Sequence, residues 1–173
     1  MDDTTVEVHP HGDDDHALLA ALASRLLGRP AAVTQLCSNC GGSDHGQPLV
    51  AGAFVSLSRA GDLVAIAASL AGAVGVDIET VERVAASGFD DVAFCAAERD
   101  AIAHAHNPDL LRARYWTTKE AVLKARGTGL RSDPRLVDAS EPMDGVETSA
   151  PQPGYVLTVA RLRAETTSRS TVR

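Results

Sequence analysis

Residues 107–127 carry a complete set of helix start and stop signals, and the rest of the chain must be arranged around the long element they define. Asn107 can cap first-turn N–H groups, and Pro108 suits a first helical position whose N–H has no partner in any case. Asp109 complements the positive helix end, and Gly127 can adopt the left-handed conformation that terminates a helix. The spacing predicts a helix from Pro108 to about Arg126. Both lysines of the chain, Lys119 and Lys124, fall inside it, whereas every other basic residue is an arginine. Either these positions call for a compact, titratable ammonium, or the clustering is an accident of an arginine-rich composition.

Around this helix the pattern alternates between strand and helix. Val6–Val8 reads as a short strand. Asp13–Asp15 then favour a helix start, and Leu18, Leu19, Leu22, Leu26 and Leu27 follow at helical spacing up to Gly28 or Pro30. The segment CSNCGGSDHGQP over 37–48 is turn-forming. Ala53–Leu57 and Leu63–Ser69 read as strands joined at Ala60-Gly61-Asp62, and Val74–Ile78 as a buried strand. A helix is expected from Ala96 to about Ala105, with Glu98 at the capping-box position. With four prolines, residues 131–153 read mostly as loop, Tyr155–Leu162 as a strand, and Arg163–Arg173 as a frayed polar tail. Phe54, Phe89 and Phe94 are expected in the core, and His104 and His106 on a helix surface.

An apolar content of 45% across 173 residues suits one sizeable core or two small lobes sharing one. Residues 1–86 hold 11 acids against 4 bases, and residues 87–173 hold 12 of each, within a net charge of -7. That distribution argues against nucleic-acid binding, so an anionic ligand would need a local basic cluster. Three cysteines, Cys37, Cys40 and Cys95, cannot all pair within the chain, which points to a reducing compartment, the cytoplasm. Asp2 and Asp3 open a segment without signal-peptide character, and the apolar run 63–76, broken by Ser69, Gly72 and Gly75, is too short to span a membrane.

Asp77 and Glu79 lie two apart, so on an extended segment both carboxylates share one face. Such a pair suits a hard cation such as Mg2+, since oxygen-only donors of high charge density favour it. The alternative is two solvated acids after a core strand. Within the long helix, Trp116, Glu120 and Lys124 recur at four-residue spacing and share a face. There Glu120 can join a metal site while Lys124 reaches a phosphate. As a plain surface ion pair the two would contribute only about 0.3–0.5 kcal/mol.

Taken together, GVDIE at 75–79 and WTTKEAVLKARGTGL at 116–130 closely resemble the two signature motifs of the 4'-phosphopantetheinyl transferase superfamily, in the right order and about forty residues apart. HGQP at 45–48 resembles the HGKP of the larger single-chain, surfactin-synthetase-activating type, and VSLSRAGDLVAIA at 55–67 resembles its SLSHSGDLVAVA. The resemblance covers roughly residues 37–130. It implies an α+β fold in which two similar lobes form a pseudo-dimer, each a helix packed on a small antiparallel sheet. The lobe boundary is placed near Gly72, giving 1–72 as the N-terminal lobe and 73–173 as the C-terminal lobe carrying the metal site.

The function implied is magnesium-dependent transfer of the 4'-phosphopantetheine arm of coenzyme A to a serine of an apo acyl or peptidyl carrier protein. By resemblance Asp77, Glu79 and Glu120 hold Mg2+, Glu120 takes the serine proton, and Lys124 stabilises or protonates the leaving 3',5'-ADP. Lys119 is a second phosphate contact, and Gln47, Pro48, Ser58 and Arg59 bind coenzyme A. Carriers of fatty acid, polyketide or nonribosomal peptide synthesis all fit, with Arg112, Arg114 and Arg131 as a contact surface for an acidic carrier. The protein is expected to be a monomer that binds neither nucleic acid nor membrane.

The match departs from the family at two places. Arg59 stands where the family has histidine beside Ser58, near the nucleotide 3'-phosphate, and Gln47 replaces the lysine of HGKP. An arginine can still hold a phosphate with two parallel hydrogen bonds, whereas Gln47 keeps a donor and loses a charge. Arg25 or Arg29 can substitute for the basic residues that larger relatives carry before residue 17. The runner-up reading is a non-catalytic coenzyme A or carrier-protein binding module, against which stand all three acids and both lysines. Cys37-x-x-Cys40 with His45 offers zinc-type donors without an apparent fourth ligand, and a CxxC before HGxP also occurs as a loop among relatives.

Overall fold

The two apolar runs flanking Gly61 form the hairpin the sequence predicts. The structure is a computed structural model that describes residues 4–36, 41–42 and 46–163. Strands β4 (Phe54–Ala60) and β5 (Leu63–Ser69) pair antiparallel with Ala60 opposite Leu63, so Gly61 and Asp62 make the turn. Gly61 has φ 55, and a Cβ there would run into the Tyr155 hydroxyl, so glycine serves both the backbone and the packing. Strand β1 (Thr4–Pro10) pairs antiparallel with the other edge of β5, completing a sheet in the order β1-β5-β4. Helix α1 (Asp15–Leu27) lays Leu19, Leu22 and Ala23 on one face of this sheet, against Val55, Val64, Ile66 and Ala68, and ends at Gly28 with φ 65.

β2 (Thr34–Leu36) and β3 (Gln47–Leu49) make a separate two-stranded ladder, and β3 begins inside the 37–48 segment that the sequence reads as turn-forming. Strand β6 (Gly72–Thr80) starts a third sheet, in the order β6-β8-β7, with β7 at Val146–Ser149 and β8 at Tyr155–Arg163. All of its pairs are antiparallel, with Asp77 opposite Thr158 and Gly75 opposite Ala160. The expected mixed α+β class therefore holds, with three small antiparallel sheets.

Between β6 and β8 come four α-helices, α2 (Val81–Ala85), α3 (Asp90–Ala93), α4 (Ala96–His104) and α5 (Pro108–Ala125), followed by two short 3-10 turns at Gly129–Arg131 and Pro134–Leu136. The signals read at the ends of α5 act as expected, with Asn107 accepting from the Leu110 N–H and Pro108 in the first turn. Alternation along β6 then decides the layers. Val74, Val76 and Ile78 face the first sheet through Ala65 and Ala67, joined by Leu157 and Val159 of β8. Gly75, Asp77 and Glu79 point the other way, toward α5, which packs on β6 and β8. Each three-stranded sheet thus carries one helix on its outer face, α1 or α5.

Candidate active site

Gly75 is what lets α5 come close enough to matter. A Cβ there would overlap the Ala121 carbonyl and sit 2.6 Å from the Ala125 nitrogen, so the helix backbone rests directly on the strand. Two and four residues further along the same face stand Asp77 and Glu79, 3% and 9% exposed. From α5, Glu120 and Lys124 are presented to the same region, one turn apart. The four charges sense one another: Asp77 acts on both Glu79 and Glu120, and Lys124 opposes it at each.

The hydrogen bonds are specific. Lys124 Nζ donates to Asp77 Oδ1 (2.6 Å), Ser58 Oγ (3.1 Å) and the Val76 carbonyl (3.3 Å). Ser58, from β4 of the first sheet, donates to the same Asp77 Oδ1 at 2.7 Å. The second oxygens, Asp77 Oδ2 and Glu79 Oε2, are buried without a hydrogen-bond partner. Arg83 of α2 brings Nη1 to 3.7 Å from Glu79 Oε2. Burial first, and the neighbouring Asp77 second, push the Glu79 carboxyl up to about 7. Burial and Asp77 likewise raise Glu120 above its ordinary range.

Two buried carboxylate oxygens without donors, next to a third acid whose affinity for protons is raised by burial and by Asp77, fit a hard cation chemically. Among the described residues, however, no three His, Cys, Asp or Glu side chains converge closely enough to chelate an ion. The acids share one neighbourhood, with the Lys124 ammonium on Asp77.

Other expected residues lie elsewhere. Lys119, expected to touch phosphate, is 0% exposed and spent inside the protein. Its ammonium donates to Glu98 Oε1 (2.8 Å), Pro134 O (3.1 Å) and Val137 O (2.5 Å), which leaves no proton for a ligand. The reason is helical geometry, since residues 119 and 120 point about 100° apart and cannot both face β6. Glu98 accepts in turn from the backbone N–H of Cys95 and of Ala139, so one ion pair ties α4, α5 and the 134–139 segment together. Ser58 and Arg59 do not converge either, because adjacent strand residues face opposite ways. Arg59 turns to α1, where its Nε meets Asp15 Oδ2 at 2.5 Å, and remains 40% exposed.

Gln47 and Pro48 line a cavity of about 300 Å³ together with Phe54, Val74 and the Ala125–Gly127 end of α5, directly after Lys124. Phe54, expected in the core, is half exposed in that wall, whereas Phe94 is fully buried. Arg25 pairs with Glu7, and Arg29 donates to the Ala51 carbonyl. Arg112 is held by Asp90 and Asp109, and Arg131 folds back on the Gly127 and Thr128 carbonyls. Cys37, Cys40 and His45 lie outside the described residues. Sequence reasoning missed the Ser58 link to Asp77 and the Arg83 approach to Glu79. The i,i+4 spacing of Glu79 and Arg83 was the available signal for the second, and nothing local marks the first.

The family model of the 4'-phosphopantetheinyl transferase superfamily matches residues 73–166, a span that holds β6, α5 and the acids just described. The chain belongs to that superfamily. Among curated proteins it is similar to an L-aminoadipate-semialdehyde dehydrogenase-phosphopantetheinyl transferase of Eremothecium gossypii, 37% identical over 95 residues. That alignment covers 50% of this chain and 34% of the fungal protein, so the chain spans about a third of the relative it matches.

Proposed function

We propose that this protein moves the 4'-phosphopantetheine arm of coenzyme A onto a serine hydroxyl of an apo carrier protein and releases 3',5'-ADP. The observation that carries the reading is the pair of buried, donorless oxygens on Asp77 and Glu79 beside Lys124, within the span shared with the superfamily. Asp77, Glu79 and Glu120 would hold Mg2+, which when bound supplies positive charge to the diphosphate oxygens as charge develops there.

The chain's own residues have separate tasks. Glu120, whose affinity for protons is raised by burial and by Asp77, takes the proton of the attacking serine. The serine oxygen forms its bond to the β-phosphorus as the bond from that phosphorus to the bridging oxygen breaks. Lys124 steadies the departing phosphate of 3',5'-ADP with its ammonium. Gln47 and Pro48 offer a cavity wall beside the end of α5 for another part of coenzyme A. Lys119 is assigned no ligand contact, and Arg59 is left as an exposed arginine anchored by Asp15.

In this reading the chain divides near Gly72 into lobes 1–72 and 73–173, each a three-stranded sheet with one outer helix, and works as a monomer. The site lies on the seam, since Ser58 comes from one sheet and Asp77 from the other. Replacing Glu120 with Gln tests the assignment of the base. Transfer of the arm to an apo carrier, followed by mass spectrometry, should fall by about 10²–10⁴-fold with circular dichroism unchanged. Unchanged transfer would remove Glu120 from the role.

A further inference from the structure

Lys124 is bound to the carboxylate that an incoming cation would have to use. All of its hydrogen bonds run to the floor of the site, to Asp77 Oδ1, Ser58 Oγ and the Val76 carbonyl, and its side chain is 27% exposed. Ser58 closes the ring by donating to the same Asp77 oxygen, and so fixes which carboxylate oxygen the ammonium takes. The other oxygen of Asp77 and Oε2 of Glu79 are left buried and without donors. A divalent ion approaching those two atoms meets a positive charge already seated on the same carboxylate. In a partly buried site that repulsion is only weakly screened. A diphosphate arriving with the ion changes the balance by offering the ammonium a new anionic partner. The lysine stem is long and flexible, and its ammonium can change partners without the planar constraints of a guanidinium.

We propose that Lys124 is a built-in counter-ion for Asp77, docked on Ser58, which disfavours metal binding alone and is handed from carboxylate to diphosphate on loading. This rests on the transferase reading above. Metal and coenzyme A then bind with positive coupling, and by reciprocity each tightens the other. Ser58 is a positioning residue in this scheme, because it acts through the ammonium whose geometry it sets.

The test is calorimetric titration of Mg2+ into the protein alone and into the protein saturated with coenzyme A, for the wild type, Lys124→Met and Lys124→Gln. The wild type should bind Mg2+ at least ~10-fold more tightly with coenzyme A present. The oxygens of the diphosphate could produce that difference unaided, so the variants are decisive. Without coenzyme A, both should bind Mg2+ about tenfold more tightly than the wild type, and their gain on adding coenzyme A should shrink. If the wild type binds Mg2+ with coenzyme A but neither folded variant gains affinity for the metal alone, the counter-ion proposal is wrong and the transferase reading stands. If no form binds Mg2+ under any condition, both fall. Should the variants fail to fold, the ¹⁵N signal of the Lys124 ammonium in the wild type decides the matter. It should move when Mg2+ and coenzyme A are added together, and a stationary signal at saturation overturns the proposal.

Discussion

Glu79 is the residue at which burial and charge act most directly against each other. Its carboxyl is raised from 4.5 to about 7, first by loss of water and then by Asp77. The folded protein therefore holds this proton more tightly than the unfolded chain does. Its contribution is fully present below about pH 4.5 and is lost as pH rises through about 7, by about 3 kcal/mol in all. Denaturant titrations between pH 4.5 and 8 without divalent ions should show stability falling over that window. The decline should be smaller in Glu79→Gln, where the raised Glu120 carboxyl is left to titrate, and flattened by Mg2+ above pH 7, because a bound cation favours the ionised carboxyl. A wild-type profile that is flat without metal would show that Glu79 is not held in this environment. Lys119 gives a second residue-scale prediction. Lys119→Met strands the buried Glu98 carboxylate and should cost about 3–5 kcal/mol, with part of the loss recovered in Lys119→Met, Glu98→Gln, which removes the unpaired charge and keeps an acceptor for the backbone N–H groups. If instead Lys119→Met keeps its stability and only the KM for coenzyme A rises, Lys119 is a ligand contact after all.

At the scale of elements, the site depends on how closely α5 lies on β6. Gly75→Ala puts a methyl group into the backbone of residues 121–125, so the helix must move away, at about 1–3 kcal/mol. Because Glu120 and Lys124 ride on that helix, transfer should fall further than stability alone accounts for. Full activity in Gly75→Ala at a temperature where the protein is folded would mean that the spacing is not critical. How much of this was legible beforehand depended on whether the signal was local. α5 was readable because Asn107, Pro108 and Gly127 act within a turn of its ends, and β4 and β5 because their apolar runs flank a glycine turn. Helices α2 and α3 are too short for periodicity to register, and the exposed β7 lacks an apolar stripe. That Asp77, Glu79 and Glu120 belong to one site is implied by the family motifs, and the structure places them in one neighbourhood without closing them into a chelating set. Ser58 bonding to Asp77 and Lys119 pairing with Glu98 depend on packing between distant segments, which no local pattern records.

For the molecule as a whole, two antiparallel sheets share an apolar layer of Val74, Val76 and Ile78 against Ala65 and Ala67, with α1 and α5 on the outside. Small alanines on β5 let the second sheet settle close, and that brings the Ser58 hydroxyl within reach of Asp77. Among the described residues no helix is long and apolar enough to cross a membrane. If acids from β6 and α5 serve one divalent-ion-dependent transfer, the reaction product can be weighed by intact mass spectrometry. The protein would be incubated with coenzyme A and an apo carrier protein, with Mg2+ or with excess chelator. The carrier should gain one phosphopantetheine arm on its serine with Mg2+ and none with chelator. Transfer that proceeds equally well in chelator, or a carrier left unmodified across fatty acid, polyketide and nonribosomal peptide types, would contradict that role for the acids.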